Sequence, residues 1–226
     1  MVRANVILLP AALLAGCSAL PEQPAERRST ASSQPARGLP APKTGQEAQC
    51  LSELGKMGAS YSPLPDRYIE SGCTNLNTVQ LASLPSDSAA LAVTNLGPVT
   101  CEVGQVFAAW ARYGVDRAAR QILGSPIRSI ETFGSYACRN VAGSGRRSAH
   151  ATGAAIDISG FVLEDGRRIT VKAGWSGGTE RERQFLRVVQ QSACKRFDTV
   201  LGPEYNSAHH DHLHLEGVIG TKSYCR

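Results

Sequence analysis

All five histidines of this chain lie in two short segments. The first runs Ser148-Ala149-His150-Ala151-Thr152-Gly153-Ala154-Ala155-Ile156-Asp157, and the second is His209-His210-Asp211-His212-Leu213-His214. If the two segments serve one site, the fold has to bring two distant stretches of chain together. Neutral imidazole is the commonest protein ligand for zinc, and a carboxylate is a common companion. His212 and His214 are two residues apart, so on a strand they face the same side. His150 falls in a loop leading into the strand that carries Asp157, and Gly153 permits a tight return between them. Two imidazoles and one carboxylate leave a fourth tetrahedral position for water, which separates a catalytic zinc from a structural one. A lone His-x-His reads equally well as a surface pair; the two segments together point to a metal site.

Other features bound the setting. The apolar fraction of 42% suits a soluble domain with a real core, and the net charge of +5 is dispersed rather than blocked, which argues against nucleic acid as a partner. Arg3 followed by the apolar run from Val6 to Ala15 has the proportions of a secretory signal and is too short to span a bilayer. It ends in Leu14-Ala15-Gly16-Cys17, similar to a bacterial lipoprotein cleavage box, so residues 1–16 are expected to be removed and Cys17 to carry acyl chains. Ser18 after Cys17 points, in a Gram-negative cell, to the outer membrane. Residues 17–46 are rich in Pro, Ser, Ala, Gln and Arg without an apolar period, and read as a tether. The globular domain is expected over 47–226.

Seven cysteines are present. Without Cys17, the remaining Cys50, Cys73, Cys101, Cys138, Cys194 and Cys225 can pair completely, as suits an oxidising compartment such as the periplasm. Sequence does not fix the connectivity; the pairing expected here is Cys50–Cys73, Cys101–Cys138 and Cys194–Cys225. No CxxC occurs, against a thiolate metal site.

Apolar spacing predicts helices over 101–123, ended by Gly124 and Pro126, and over 179–197. Strands are expected over 127–138, 155–163, 169–171, 199–201 and 210–218, with Asp165-Gly166 turning a hairpin. The result is an α+β domain.

Ser148-x-His150-x-x-Gly153-x-Ala155-x-Asp157 with a later His-x-His resembles the clan joining D-Ala-D-Ala carboxypeptidases, hedgehog-type domains and lysostaphin-type endopeptidases. His209-x-x-His212-x-His214 is similar to the penicillin-insensitive murein endopeptidases. The wider run, with Ser135-Tyr136-Ala137-Cys138-Arg139, residues 150–161 and residues 200–215, most resembles the bacterial extensin-like C-terminal family. The resemblance implies an α+β domain around a small antiparallel sheet with flanking helices, zinc as cofactor, and peptidoglycan peptides as substrate at the periplasmic face of a lipid-anchored protein. It implies His150, Asp157 and His214 as zinc ligands and His212 as the group stabilising charge on the attacked carbonyl. It also implies Arg139 and Tyr136 as substrate-binding residues, Arg139 taking the place of a substrate-binding arginine.

The general base stays open at this level. The clan's carboxypeptidases use Glu three residues before the last zinc histidine, where this chain has the shorter Asp211. The murein endopeptidase pattern points to His209, whereas strict strand alternation would put His210 on the site face. His209 is preferred if the strand starts only after it. The missing Glu also motivates a competing reading, a zinc-stabilised module that binds cell wall or a protein partner and cleaves nothing.

Overall fold

The computed structural model describes residues 45–226; the signal segment, Cys17 and the tether up to residue 44 lie outside the described residues. Helix α1 (Gly45–Lys56) opens the described chain and buries Cys50 and Leu54. Six short strands follow: β1 (Ser60–Pro63), β2 (Arg67–Glu70), β3 (Cys73–Asn75), β4 (Thr78–Leu84), β5 (Leu91–Thr94) and β6 (Val99–Thr100). Helix α2 (Cys101–Trp110) comes next and continues through widened turns to Leu123, where Gly124 at φ 75° ends it in the left-handed conformation that favours glycine. The centre of the domain is then β7 (Ile127–Gly134), β8 (Ala155–Leu163) and β9 (Arg168–Thr170). Helices α3 (Val171–Gly177) and α4 (Glu180–Ala193) lead to β10 (Thr199–Leu201), β11 (Leu213–Glu216) and β12 (Tyr224–Cys225). Helix α4 starts where it does because Thr179 and Glu182 cap it reciprocally: the Thr179 hydroxyl accepts from the Glu182 amide, and the Thr179 amide donates to Glu182 Oε2 at 2.7 Å.

The domain is α+β, but its sheet is neither small nor purely antiparallel. Ten strands join in one sheet, in the order β1-β4-β5-β7-β8-β11-β10-β12, with β6 on β4 and β9 on β8. The pairs β5–β7 and β10–β12 are parallel. The first half of the chain supplies four of the strands, in stretches of two to seven residues that are too short, and too often interrupted by polar residues, to show a period. Strands β2 and β3 form a separate hairpin.

The sheet's two faces explain both the core and the site. Ile156, Ile158, Val200, Leu213 and Leu215 are buried, and the register places them side by side, Ile156 and Val200 both opposite Leu215 and Ile158 opposite Leu213. The alternate residues on the same strands belong to the other face. The apolar face packs on α2 and α4 around Trp110, whose indole ring meets Phe107, Phe161 and Phe197 and whose Nε1 donates to the Val189 carbonyl at 3.0 Å. A buried Trp with a satisfied N–H contributes both area and a hydrogen bond.

Three disulfides staple the domain: Cys50–Cys101, Cys73–Cys138 and Cys194–Cys225. The last is the expected pairing; the other two exchange partners. Helix α1 packs on α2, so Cys50 meets the first residue of α2 rather than Cys73. Cys73 on β3 instead ties the small hairpin to the segment after β7. Tertiary packing, not nearness in the chain, selected the partners.

Candidate metal centre

The motif around His150 is a local folding device. The Ser148 hydroxyl accepts from the His150 amide and caps a single 3-10 turn, Ala149–Thr152. Gly153 at φ 66° ends the turn and sends the chain into β8. A Cβ at Gly153 would stand 3.0 Å from the Pro98 carbonyl oxygen, so both conformation and space call for glycine. Asp157 then falls on the polar face of β8, directly opposite His214 on β11. Facing residues of an antiparallel pair hold their Cβ atoms within about 5.5 Å of one another.

These placements bring three donors together. His150 Nε2 lies 3.2 Å from His214 Nδ1 and 3.2 Å from Asp157 Oδ2, and His214 Nδ1 lies 2.9 Å from Asp157 Oδ1. One donor atom from each residue falls within 4.8 Å of the others. The far nitrogen of each ring is also engaged. His150 Nδ1 donates to the Ser135 carbonyl at 3.1 Å, and His214 Nε2 meets Glu216 Oε2 at 3.0 Å. Such outer contacts fix the tautomer and aim the remaining nitrogen inward. The donor set therefore fits a divalent metal: His150 through Nε2, His214 through Nδ1 and Asp157 through a carboxylate oxygen. Glu70, Cys73 and Cys138 also lie close together, but both sulfurs are in a disulfide.

Charges follow from the same contacts. Burial, the largest influence on Asp157, opposes its ionisation, yet the hydrogen bonds with His150 and His214 outweigh it and hold the carboxyl well below the usual range. Burial also opposes a charge on His214, but Asp157 and Glu216 prevail and raise the ring to about 9. The hydrogen bond with His214 in turn lowers Glu216. An ion arriving at His214 Nδ1 takes the place of a proton.

The remaining segment differs from a continuous strand over 210–218. Asn206 Oδ1 accepts from the Ala208 amide and folds Ser207–His209 into a 3-10 turn, and β11 starts only at Leu213. His209 thus precedes the strand. Its Nδ1 lies 2.7 Å from Asn206 Oδ1, and its ring centroid is 5.1 Å from that of His212 and 5.9 Å from that of His214. Burial first, then the neighbouring His212 and His214, push His209 down to about 4. His210 points away, to the Ser207 carbonyl. Asp211 does not reach into the three-donor cluster; its Oδ1 takes His212 Nδ1 at 3.0 Å, which lowers the carboxyl and leaves His212 Nε2 3.6 Å from Asp157 Oδ1.

A cleft of about 470 Å³ opens over this face, lined by His209, His212, His214, Glu216 and Arg139 among others. Tyr136 is not among the residues lining it, and its hydroxyl is buried without a partner. Reading the sequence through its histidines missed Glu216 and Asn206. Glu216 was recoverable, because a residue two beyond His214 on a strand shares its face. The Ser135 carbonyl carries no side-chain signal at all.

A mixed sheet with helices on its apolar face, and a His-Asp-His cluster with a histidine-lined cleft on its polar face, define the class of protein. The chain belongs to the extensin-like family: residues 48–226 match the family described as Extensin-like protein C-terminus. No curated protein and no solved structure matches it.

Proposed function

We propose that this protein is a zinc peptidase of the clan that joins D-Ala-D-Ala carboxypeptidases, hedgehog-type domains and murein endopeptidases. It hydrolyses amide bonds of peptidoglycan peptides from a lipid anchor at Cys17 on the periplasmic side of the envelope. The observation that carries the reading is the convergence of His150, Asp157 and His214 beneath a cleft that also presents His209 and His212. Zinc held by those three residues would polarise the scissile carbonyl and acidify the attacking water.

The chain's own groups supply the rest. With Nδ1–H donating to Asn206, His209 keeps its lone pair at Nε2 and is uncharged at neutral pH, so it accepts the proton of the attacking water there and returns it to the leaving amine. Asp211 orients His212 through Nδ1, which turns Nε2 toward the oxyanion that the ring would stabilise. Arg139 binds a substrate carboxylate at the cleft wall. Asp211 is a positioning residue in this scheme, which is why the absence of Glu at that place leaves the chemistry intact.

The test is digestion of purified sacculi by the zinc-loaded protein, with separation of the muropeptides. New products should appear, fall by about 10²–10³-fold in His212→Ala, as for loss of one oxyanion donor, and vanish in His150→Ala. Unchanged muropeptides across a range of pH would end the proposal.

A further inference from the structure

His209 stands in the 3-10 turn Ser207–His209, outside any strand, so no sheet register fixes its ring. Hydrogen bonding holds it at one point, where Nδ1 meets Asn206 Oδ1 at 2.7 Å. A single contact there lets the ring swing and carry Nε2 across the cleft. Proton transfer needs Nε2 within hydrogen-bond reach of the attacking water. A second contact is needed to fix the plane of the ring.

Tyr205 makes that contact. Its ring centroid lies 5.4 Å from that of His209 with the planes at 65°, an edge-to-face pairing of the kind aromatic rings prefer. Tyr205 is backed in turn by Tyr224 on β12, with centroids 6.2 Å apart and planes at 88°. Both tyrosines engage these neighbours through their rings rather than their hydroxyls. Each support is itself tied down. Strand β12 pairs with β10, and the Cys194–Cys225 disulfide joins it to the end of α4. The turn that carries Tyr205 is closed by the Tyr205 amide on the Gly202 carbonyl at 2.9 Å. The Gly202 amide donates to the Arg226 carbonyl, also at 2.9 Å, and Glu204 pairs with Arg187 of α4. The Arg187 guanidinium lies 3.8 Å from the centre of the buried Trp175 ring.

We propose that Tyr205, backed by Tyr224, is a positioning residue that fixes the plane of the His209 ring. The helix α4, the strand β12 and the turn between β10 and β11 then act together as a brace for one side chain. The inference rests on the peptidase reading for the role of His209. It goes beyond that reading by assigning a task to two tyrosines that line the cleft without touching the metal ligands. An ångström-scale misplacement of a catalytic group costs about 10²-fold in rate.

The experiment uses the full zinc-loaded chain in detergent, with a purified cross-linked muropeptide as soluble substrate. Tyr205→Ala should lower kcat about 10²-fold and leave KM unchanged. Tyr205→Phe should keep the parent's rate, and Tyr224→Ala should lower kcat in the same sense but by less. Tyr205→Ala combined with His209→Ala should be no slower than His209→Ala alone, because Tyr205 acts only through that ring. Both tyrosines are exposed, so their truncation spares the core, and unchanged thermal midpoints check this. A raised KM with kcat intact, or a further loss in the double variant, would make Tyr205 a substrate contact and overturn the inference. So would an unchanged kcat in either alanine variant. A second readout needs no turnover. The His209 and His212 rings, 5.1 Å apart, should show proton–proton NOEs in the parent and in Tyr205→Phe and lose them in Tyr205→Ala. A parent that cleaves nothing sinks the peptidase reading alone, and NOEs that persist in Tyr205→Ala sink this inference alone.

Discussion

At the scale of single residues, the His214 ring is gripped from both sides, by Asp157 at Nδ1 and Glu216 at Nε2. Glu216→Gln keeps the shape but removes the charge that orients the ring, so zinc affinity should fall by about 10–100-fold, the usual effect of losing an outer-shell partner. Competition with a fluorescent chelator measures this, and an unchanged affinity would show that Asp157 alone fixes the ring. A second carboxylate, far from the site, adds to the acid sensitivity of the fold. The hydrogen bonds of Arg117 and then Arg112 lower Asp87 from 3.8 to about 2. Its folded value is the lower one, so its contribution is complete above pH 3.8 and is lost as the pH falls toward 2. The thermal midpoint of Asp87→Asn should therefore be depressed relative to the parent at pH 5, with the difference closing by pH 2. A gap that persists at pH 2 contradicts the ion-pair account. The contrast between these residues shows what a sequence displays. His150, Asp157 and His214 stand out by type and spacing, whereas Asp87 becomes special only through arginines 25 and 30 residues away.

At the scale of elements, helices α2 and α4 and the strands bearing the site were legible, whereas helices α1 and α3 and the early strands were not. Helix α4 announces itself with Thr179 and Glu182 at capping distance and an apolar stripe of Phe185, Leu186 and Val189. Strand β8 is a buried run in which Asp157 is the one charged residue. By contrast β6 and β12 are two residues long and exist only because β4 and β10 offer them partners. The extension of β11 back to His210 failed for a local reason, since Asn206 caps a competing turn. The turn carrying His150 is the element most exposed to one change. In Gly153→Ala the φ of 66° costs about 1–2 kcal/mol, and the new methyl meets the Pro98 oxygen at 3.0 Å. The variant should unfold at a lower temperature and also bind zinc more weakly than the parent, because relieving the clash moves His150. Calorimetry and chelator competition on one preparation check both, and a stability loss with full affinity would mean that the turn does not position the ligand.

At the scale of the whole molecule, two distant stretches meet at the donor cluster: the 3-10 turn after Ser148 with the first residues of β8 that follow it, and the start of β11. The disulfides do not close that junction. Cys50–Cys101 joins the first two helices, Cys73–Cys138 ties the small hairpin to the segment after β7, and Cys194–Cys225 secures the last strand to the end of α4. Between β8 and β11 the fold relies on four facing residue pairs and on whatever the polar face adds. That face holds His150, His214, Asp157 and Glu216 in a chain of contacts. A divalent ion that binds only the folded arrangement stabilises it by mass action, by about 2.7 kcal/mol when its free concentration is a hundredfold above Kd. Chelation should therefore lower the thermal midpoint, and restoring zinc should recover it in proportion to the logarithm of its concentration. His150→Ala should start near the chelated midpoint and ignore added zinc. If the parent protein also ignored both chelator and zinc, the cluster would be a hydrogen-bonded polar core and the mechanism would have no metal to organise.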